Sequence, residues 1–405
     1  MSDNGVSWPK CKLKNILGEP LVNGRSVPTR DDGFPVLRLT SIKSRLIDLS
    51  ECKGGDWTES QAKPFLVREG DFLISRGNGS ADLVARGAVV PKVDADVAFP
   101  DTMIRIRVDA DIVLTQYLAL VWESPEVRDQ IKKAARTTSG IYKVNQKSIG
   151  EIEIPVPPLE EQRRIAHVLG RSETLRVKRR EAIALLDHLA QSVFLEMFGD
   201  PVSNQKAWTQ QRLCDLGTVV TGNTPPRAQA ENYGDVIEWI KSDNISHGEA
   251  FLTEASERLS LEGVSKARLA KPGSLLVTCI AGSPSSIGNV AITDREVAFN
   301  QQINSFSPSD GNSLFYYFLL RLAKPLILEK STGGMTGLVS KSRFGSVSLI
   351  DPPLALKERF SRGAESIVAM RNAQRAHLAE LDRLFASVQH RALRGELWAD
   401  TSAPE

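Results

Sequence analysis

The sequence has 405 residues, of which 41% are hydrophobic and 25% are charged, with a formal net charge of +2. This balance is typical of a soluble globular protein, and the length predicts about two to three domains. The net charge excludes binding to nucleic acid through bulk charge alone, so any basic surface must be a local patch. The sequence has no positive-then-apolar leader and no uncharged apolar run of the ~20 residues needed to span a bilayer, and we therefore expect a cytoplasmic protein.

The first 154 residues predict an α/β domain. Short runs of Val, Ile, Leu and Phe, bounded by Gly, Pro, Asp and Asn, are typical of strands, and a helical stretch covers residues 115–135. The predicted strands are Val36–Leu39, Asp71–Ser75, Ala88–Val90 and Met103–Val108.

Residues 155–200 predict a long helix. Pro157 and Pro158 precede it, since proline suits the first turn of a helix, and Gly199 ends it. Apolar residues then recur at alternating steps of three and four, which is the spacing of a coiled-coil seam, with polar interruptions such as Arg179. The predicted seam residues of this helix are Leu175, Leu186, Leu189 and Val193.

Residues 201–350 repeat the first domain at a spacing near 200 residues. Several segments match in the same order with offsets that drift by a few residues, which indicates duplication of one module followed by divergence. The matches include Trp8 with Trp208, Gly70–Ser75 with Gly273–Thr278, and Ala98–Pro100 with Ala298–Asn300. The predicted strands of this copy are Val236–Ile240, Ser274–Ile280 and Asn289–Ile292, followed by a helical stretch over 313–329.

Residues 351–397 predict a second long helix after another Pro-Pro-Leu segment, with 398–405 as a C-terminal tail. Because one helix leaves each domain, we expect the two helices to pair in opposite directions as a rigid spacer. The predicted fold is therefore α/β, with two α/β domains (1–154 and 201–350) in a pseudo-two-fold relation, separated by two long helices that form an antiparallel coiled coil. The seam residues predicted for the second helix are Ile367, Met370, Leu381, Leu384 and Val388.

No catalytic or metal site is apparent in the sequence. The glycine-rich phosphate loop of ATPases is missing, and the four cysteines form no Cys-x-x-Cys pair. The segment Asp351–Leu354 resembles the Asp-Pro-Pro-Tyr signature of DNA amino-methyltransferases, but Leu stands where the aromatic residue would stack on the target base. The matching segment Val156–Leu159 has no acid, so the start of a helix explains both copies.

Several motifs carry a resemblance that spans nearly the whole chain. The segment Thr221–Arg227, followed by Val236–Ile245, resembles the start of the target recognition domain of type I restriction–modification specificity subunits. Pro155–Ile165 resembles the beginning of their central helix, and Leu195–Asp200 and Leu393–Leu397 resemble their two helix ends. Departures occur in the first copy, where Asn23–Pro28 only partly matches Thr-Gly-x-Thr-Pro, and in the second helix, where Ala355–Arg359 replaces Glu-Glu-Gln-Arg.

This resemblance implies a non-catalytic, sequence-specific DNA-recognition subunit. Each domain would read one half-site of a bipartite, asymmetric target in double-stranded DNA. The helices would dock two adenine-N6 methyltransferase subunits, motor–nuclease subunits could then join, and S-adenosylmethionine, ATP and magnesium would belong to those partners. A coiled-coil scaffold that bridges two protein partners without reading DNA is an alternative, and a self-contained methyltransferase is a third.

Candidate DNA contacts come from loops that offer donors, acceptors and cations beside glycines, because glycine lets the backbone approach a ligand closely. In the first domain they are Arg76, Asn78, Ser80, Arg86, Ser139, Tyr142 and Lys143. In the second domain they are Ser283, Ser285, Ser286, Thr332, Thr336, Lys341 and Arg343.

Overall fold

The computed structural model describes residues 8–43, 45–138, 140–245, 249–332 and 337–397, without the side chains of Thr138 and Pro284. It contains two compact units: unit 1 comprises residues 1–178 and 379–405, and unit 2 comprises residues 179–378. The division falls within both long helices. The predicted tail, 398–405, lies outside the described residues.

Unit 1 is a mixed α/β structure. Its strands are β1 (Lys10–Lys12), β2 (Leu17–Asn23), β3 (Thr29–Leu37), β4 (Cys52–Gly55), β5 (Phe72–Ser75), β6 (Gly77–Asn78), β7 (Gly87–Val89), β8 (Met103–Val108), β9 (Arg136–Thr138), β10 (Ile141–Lys143) and β11 (Glu153–Pro155). Its helices are α1 (Glu59–Ala62), α2 (Thr115–Trp122), α3 (Pro125–Ala134), α4 (Gln146–Gly150) and the first part of α5 (Leu159–Phe198).

The centre of unit 1 is an antiparallel four-stranded sheet in the order β2-β8-β5-β7. Phe72 and Ile74 of β5 pack on one face, where they meet Tyr117 and Trp122 of α2 in a buried core. A three-stranded ladder in the order β6-β10-β9 continues from the end of β5. The predicted strands therefore exist, with bounds that differ by a few residues.

Unit 2 repeats this plan. Its strands are β12 (Gln210–Arg212), β13 (Gly217–Thr221), β14 (Tyr233–Ile240), β15 (Arg258–Leu259), β16 (Leu269–Ala270), β17 (Leu275–Thr278), β18 (Ile280–Ala281), β19 (Val290–Ile292), β20 (Val297–Phe299), β21 (Ile303–Pro308), β22 (Gly337–Leu338) and β23 (Ser348–Ile350). Its helices are α6 (Leu213–Leu216), α7 (Leu261–Lys266), α8 (Ser313–Leu322), α9 (Lys324–Glu329), α10 (Lys341–Gly345), the second part of α5 and the first part of α11 (Leu354–Arg394). The second part of α11 belongs to unit 1. The sheet order β13-β21-β17-β19 matches that of unit 1 strand for strand.

Each helical stretch predicted beside a sheet is two helices. Pro125 begins α3, and the Ser124 hydroxyl caps it by accepting a hydrogen bond from the Val127 N–H. Pro325 stands in the first turn of α9 in the same way. Proline lacks the N–H that would continue the preceding helix, so each stretch breaks at that point.

The long helices begin and end where the sequence predicts. Both follow a Pro-Pro pair, and Gly199 and Gly395 stop them with φ angles of 76° and 79°, a conformation that glycine adopts without strain. In unit 2 the helices run antiparallel, because Arg179 contacts Gln374 while Asp187 contacts Arg371 at 2.9 Å. The predicted fold class is confirmed.

At four positions of the helix pair, the residue that faces inward is not the predicted seam residue but the one that follows it in the sequence. Five predicted seam residues are half-buried, but Leu175, Leu189, Met370 and Leu384 are between 46% and 56% exposed. The half-buried five are Leu186, Val193, Ile367, Leu381 and Val388.

The residues that follow the four exposed ones point inward instead. Arg176 binds Asp382 at 2.6 Å and lies over the ring of Phe385, while Ala190 and Arg371 are buried. A large aromatic ring and arginines with carboxylate partners therefore take the inner positions. The prediction for these four residues was wrong.

Gln162 and Lys357 occupy matching places near the starts of the two long helices. Gln162 is fully buried, where it accepts a hydrogen bond from the Leu114 N–H at 2.9 Å and donates to two carbonyl groups. Lys357 is 5% exposed, and its ammonium group contacts Asp351 at 2.5 Å, Asp310 at 2.9 Å and the Tyr316 hydroxyl at 3.0 Å. The second copy thus replaces neutral hydrogen bonds with an ionic cluster, which explains how it departs from Glu-Glu-Gln-Arg without losing the helix start.

Candidate nucleic-acid interface

In unit 1 the end of the central sheet brings the two predicted loops together. Arg76 follows β5 directly; its N–H donates to Thr102 O at 2.7 Å, and its carbonyl accepts from Val144 N–H at 3.0 Å. In the ladder beyond it, Asn78 lies opposite Tyr142, and Gly77 lies opposite Lys143. Four candidate residues, Arg76, Asn78, Tyr142 and Lys143, therefore cluster, although they come from segments more than 60 residues apart. The candidate Ser139 lies outside the described residues.

A cleft of about 330 Å³ opens between these loops. Its charged lining residues are Arg76, Lys143 and Asp101, of which the two cations are exposed. Tyr142 is half-buried because its ring packs against the core. The cleft thus combines cations suited to phosphates with polar groups suited to base edges.

The loop that follows β6 is fixed by hydrogen bonds within the loop and from Arg128. The Asn78 side-chain oxygen accepts a hydrogen bond from the Ser80 N–H at 3.1 Å, and the Ser80 hydroxyl accepts one from the Asp82 N–H at 3.2 Å. Both candidate side chains therefore form a hydrogen bond within the loop. Arg128 is buried and donates to the carbonyls of Asp82 and Val84 at 3.1 and 2.8 Å. The candidate Arg86 at the end of this loop is exposed.

Unit 2 has the corresponding ladder at the end of β17. The N–H groups of Cys279 and Ile280 both donate to Gln302 O, at 2.8 and 3.1 Å. Strand β18 then pairs with β22, and Thr332 bridges to Leu338 beyond it. The Thr332 hydroxyl donates to the Leu338 carbonyl at 3.3 Å, and the candidate Thr336 lies outside the described residues.

The serine-rich loop after β18 is also held by a cation. The hydroxyls of Ser283 and Ser285 share a hydrogen bond of 2.7 Å and are exposed, and Ser286 is half-buried. Lys324 donates to Ser285 O at 2.5 Å and to the Asn289 side chain at 2.8 Å, and burial lowers the pKa of this lysine. Lys324 in unit 2 and Arg128 in unit 1 thus both fix the corresponding loop by donating hydrogen bonds to its backbone carbonyls.

The remaining two candidates do not belong to this ladder. Lys341 and Arg343 lie on the short helix α10, and both are exposed. Arg343 donates to Lys330 O at 3.2 Å, which links α10 to the segment before the loop. These two cations therefore lie outside the ladder and remain predicted DNA contacts.

Sequence reasoning missed the turn that precedes β8 in unit 1 and β21 in unit 2. In unit 1 this turn carries Asp101 and Thr102, and in unit 2 it carries Gln301 and Gln302. Both turns lie beside the ladders, as the backbone bonds to Thr102 and Gln302 show. The signal was available, because the repeat at Ala98–Pro100 and Ala298–Asn300 runs directly into these turns. Arg128 and Lys324 were also missed, and their helices gave no hint of a loop contact.

The model of the type I restriction modification DNA specificity domain matches residues 23–183 and 205–378. The chain belongs to this family. It is 22% identical to the HindI specificity subunit of Haemophilus influenzae, over 82% of this chain and 87% of that subunit. It is 28% identical to the EcoKI specificity subunit of Escherichia coli K12, over 49% of this chain and 44% of that subunit. The resemblance found in the sequence motifs is confirmed.

Two solved structures share the fold. One is the S subunit of a type I system from M. genitalium, with a TM-score of 0.60 at 10% identity over 97% of each chain. The other is a chain from a study of assembly and conformational transition in a type I restriction–modification system, with a TM-score of 0.51 at 19% identity. That match covers 98% of this chain and 100% of the other. In the part of the chain that the structure describes, no helix is both long and apolar enough to cross a membrane.

Proposed function

We propose that this specificity subunit reads a bipartite, asymmetric DNA target, with the sheet-end ladder of each unit in contact with one half-site. The observation that carries the proposal is the repeated placement of polar loops beside the end of the same sheet strand, β5 in unit 1 and β17 in unit 2. Exposed side chains at both ladders offer hydrogen-bonding groups for base edges, and exposed cations for phosphates lie at the ladder of unit 1 and on α10 of unit 2.

The divergence of the two ladders supports an asymmetric target. The first has Arg76 and Lys143 at its cleft, whereas the second has a serine-rich loop around Ser283 and Ser285. Groups that differ in charge and hydrogen bonding favour different base edges. A chain with two unlike reading surfaces is therefore suited to two unlike half-sites.

Family membership supports a role as one subunit of a larger complex acting on DNA. We propose two adenine-N6 methyltransferase subunits as partners, with motor–nuclease subunits joining them, and a cytoplasmic location. Under this proposal the chain has no catalytic role, and S-adenosylmethionine, ATP and magnesium are bound by the partners. The family match also favours DNA recognition over a protein-bridging scaffold.

The test is to express the chain with its methyltransferase subunit and to map methylated adenines across the host genome. The expected result is one split adenine motif that disappears when the chain is omitted. Arg76→Ala and Lys143→Ala should weaken binding to that motif and reduce the salt dependence of binding. A variant that lacks one cation neutralises fewer phosphates and therefore releases fewer counterions from the DNA. Lys92→Ala is the matched control, because Lys92 is exposed and follows β7 at the opposite end of the sheet from Arg76. The proposal would be contradicted if no split motif were methylated, or if the affinity for DNA did not change with salt concentration.

A further inference from the structure

In each unit a glycine packs closely against the backbone at the turn beside the ladder, and these two glycines give both turns the same backbone frame. Gly24 N–H donates to Met103 O at 3.1 Å, and Gly222 N–H donates to Ile303 O at 3.0 Å. A side chain at Gly24 would meet Pro100 O at 2.0 Å, and one at Gly222 would meet Asn300 O at 2.1 Å. Both units therefore fix the backbone that leads into the turn.

Within this shared frame the turn has diverged at both of its partly or fully exposed positions. The residues before it are buried and alike, Phe99 in unit 1 and Phe299 in unit 2, and the turn itself carries Asp101 in one unit and Gln301 in the other. A fixed backbone with a varied side chain is what a site needs in order to change what it reads without changing its fold.

The Gln301 side chain is exposed and already oriented. Its Oε1 accepts a hydrogen bond from the Thr224 hydroxyl, and among the described residues its Nε2 has no hydrogen-bond partner. A carbonyl oxygen has two lone pairs, so Oε1 keeps one for a further donor. Gln301 thus presents one acceptor and one donor side by side, and its neighbour Gln302 anchors the start of β18.

Adenine offers the complementary pair in the major groove, with the N6 amino group as donor and N7 as acceptor. We propose that Gln301 reads an adenine of the half-site bound by unit 2, with Oε1 accepting from N6 and Nε2 donating to N7, and that Thr224 is the positioning residue for this contact. Asp101 takes the corresponding place in unit 1. A carboxylate only accepts, so Asp101 matches an amino group such as cytosine N4 and cannot donate to a purine N7. This inference rests on the proposed function and names the residue that fixes one base.

The test uses the full complex with its methyltransferase subunits and duplexes that carry its mapped target. Each adenine is replaced in turn by 7-deazaadenine, which removes N7 alone. The wild-type complex should lose about ten-fold in affinity at one adenine of one half-site, as expected for loss of part of a bidentate contact. With Gln301→Ala, the loss at that adenine should fall to less than about two-fold, while the other half-site keeps its wild-type pattern and reports an intact fold.

Thr224→Val provides a second variant that leaves Gln301 in place. It should reduce the loss of affinity at the same adenine several-fold, whereas Thr218→Val should leave that loss unchanged, since Thr218 is an exposed threonine on β13, before the segment that carries Thr224. A wild-type complex without a 7-deazaadenine penalty, or a Gln301→Ala complex that keeps the full penalty, would overturn the assignment. If the wild-type complex binds no split target, the proposed function itself fails, which is a separate result.

Discussion

Replacement of Lys357 by Met would remove the cation from a half-buried pair of carboxylates. Its ammonium group contacts Asp351, Asp310 and Tyr316 at 2.5 to 3.0 Å, and its side chain is 6% exposed. Removing one partner of a buried ion pair costs about 3–5 kcal/mol, because the remaining charge stays without compensation. Asp310 and Asp351 are each about a fifth exposed, so we expect about 3 kcal/mol at pH 7.

The pKa values of the cluster predict how this cost changes with pH. Burial works to raise the pKa of Asp310, but the Asn312 N–H and the Lys357 ammonium group outweigh it, and the pKa is lowered. Burial works to lower the pKa of Lys357, but hydrogen bonds to Asp351, Tyr316 and Asp310 outweigh it, and the pKa is raised. Asp310 therefore stabilises the fold above the ordinary carboxyl pKa of about 4, and this contribution is lost as the pH falls through its lower folded value. Lys357 contributes fully below about pH 10 and loses its contribution only as the pH rises through its higher folded value.

Without the cation, only the hydrogen bonds from the Asn312 N–H and the Tyr316 hydroxyl oppose the effect of burial on Asp310. The variant therefore takes up a proton at a higher pH than the wild type does. The difference in stability should consequently narrow from about 3 kcal/mol at pH 7 to below about 2 kcal/mol at pH 4.5. Urea unfolding of wild type, Lys357→Met and the exposed control Lys271→Met at both pH values would measure it. An equal difference at the two pH values, or a cost below about 1 kcal/mol at pH 7, would refute the ionic account of this cluster.

Further outcomes follow from single contacts. Arg128→Ala should speed hydrogen exchange at amides 80–86 and weaken DNA binding about ten-fold, because the loop loses two hydrogen bonds from a buried guanidinium group; unchanged exchange there would count against its role. Gly222→Ala should cost about 3 kcal/mol in thermal unfolding, since its new methyl group would overlap backbone oxygen. Gly363→Ala, with open space around it in α11, should instead stabilise the protein by about 0.5–1 kcal/mol. A double-mutant cycle on Arg176 and Asp382 should give a coupling of about 0.5–1 kcal/mol that falls in high salt, because Asp382 is 43% exposed.

Local signals predicted much of the fold. Apolar runs such as Met103–Val108 need only a short window to be recognised, and proline and glycine mark helix ends through their own backbone chemistry. The repeat then carried these predictions from one copy to the other. Family motifs led to the function.

Contacts between distant segments could not be predicted in this way. The pairing of Asn78 with Tyr142 depends on a register that only the folded sheet sets. The phase of the long helices depended on the partner helix, because steps of three and four fit two adjacent stripes equally well. Phe385 and the carboxylates of Asp187 and Asp382 decide between these stripes, and none of them is evident from the pattern of one helix alone.

Unit 1 is assembled from two separate stretches of chain, with all of unit 2 between them. Its core includes Phe385 and Ala392, and the indole N–H of Trp8 donates to the Ala392 carbonyl at 2.8 Å, a contact across 384 positions. During translation, unit 2 can fold as soon as its continuous stretch of chain has left the ribosome. Unit 1 cannot complete its fold until residues 379–405 have been made, and part of its apolar surface stays exposed until then. A premature stop codon after residue 378 would accordingly damage the unit that was translated first and spare the one translated second.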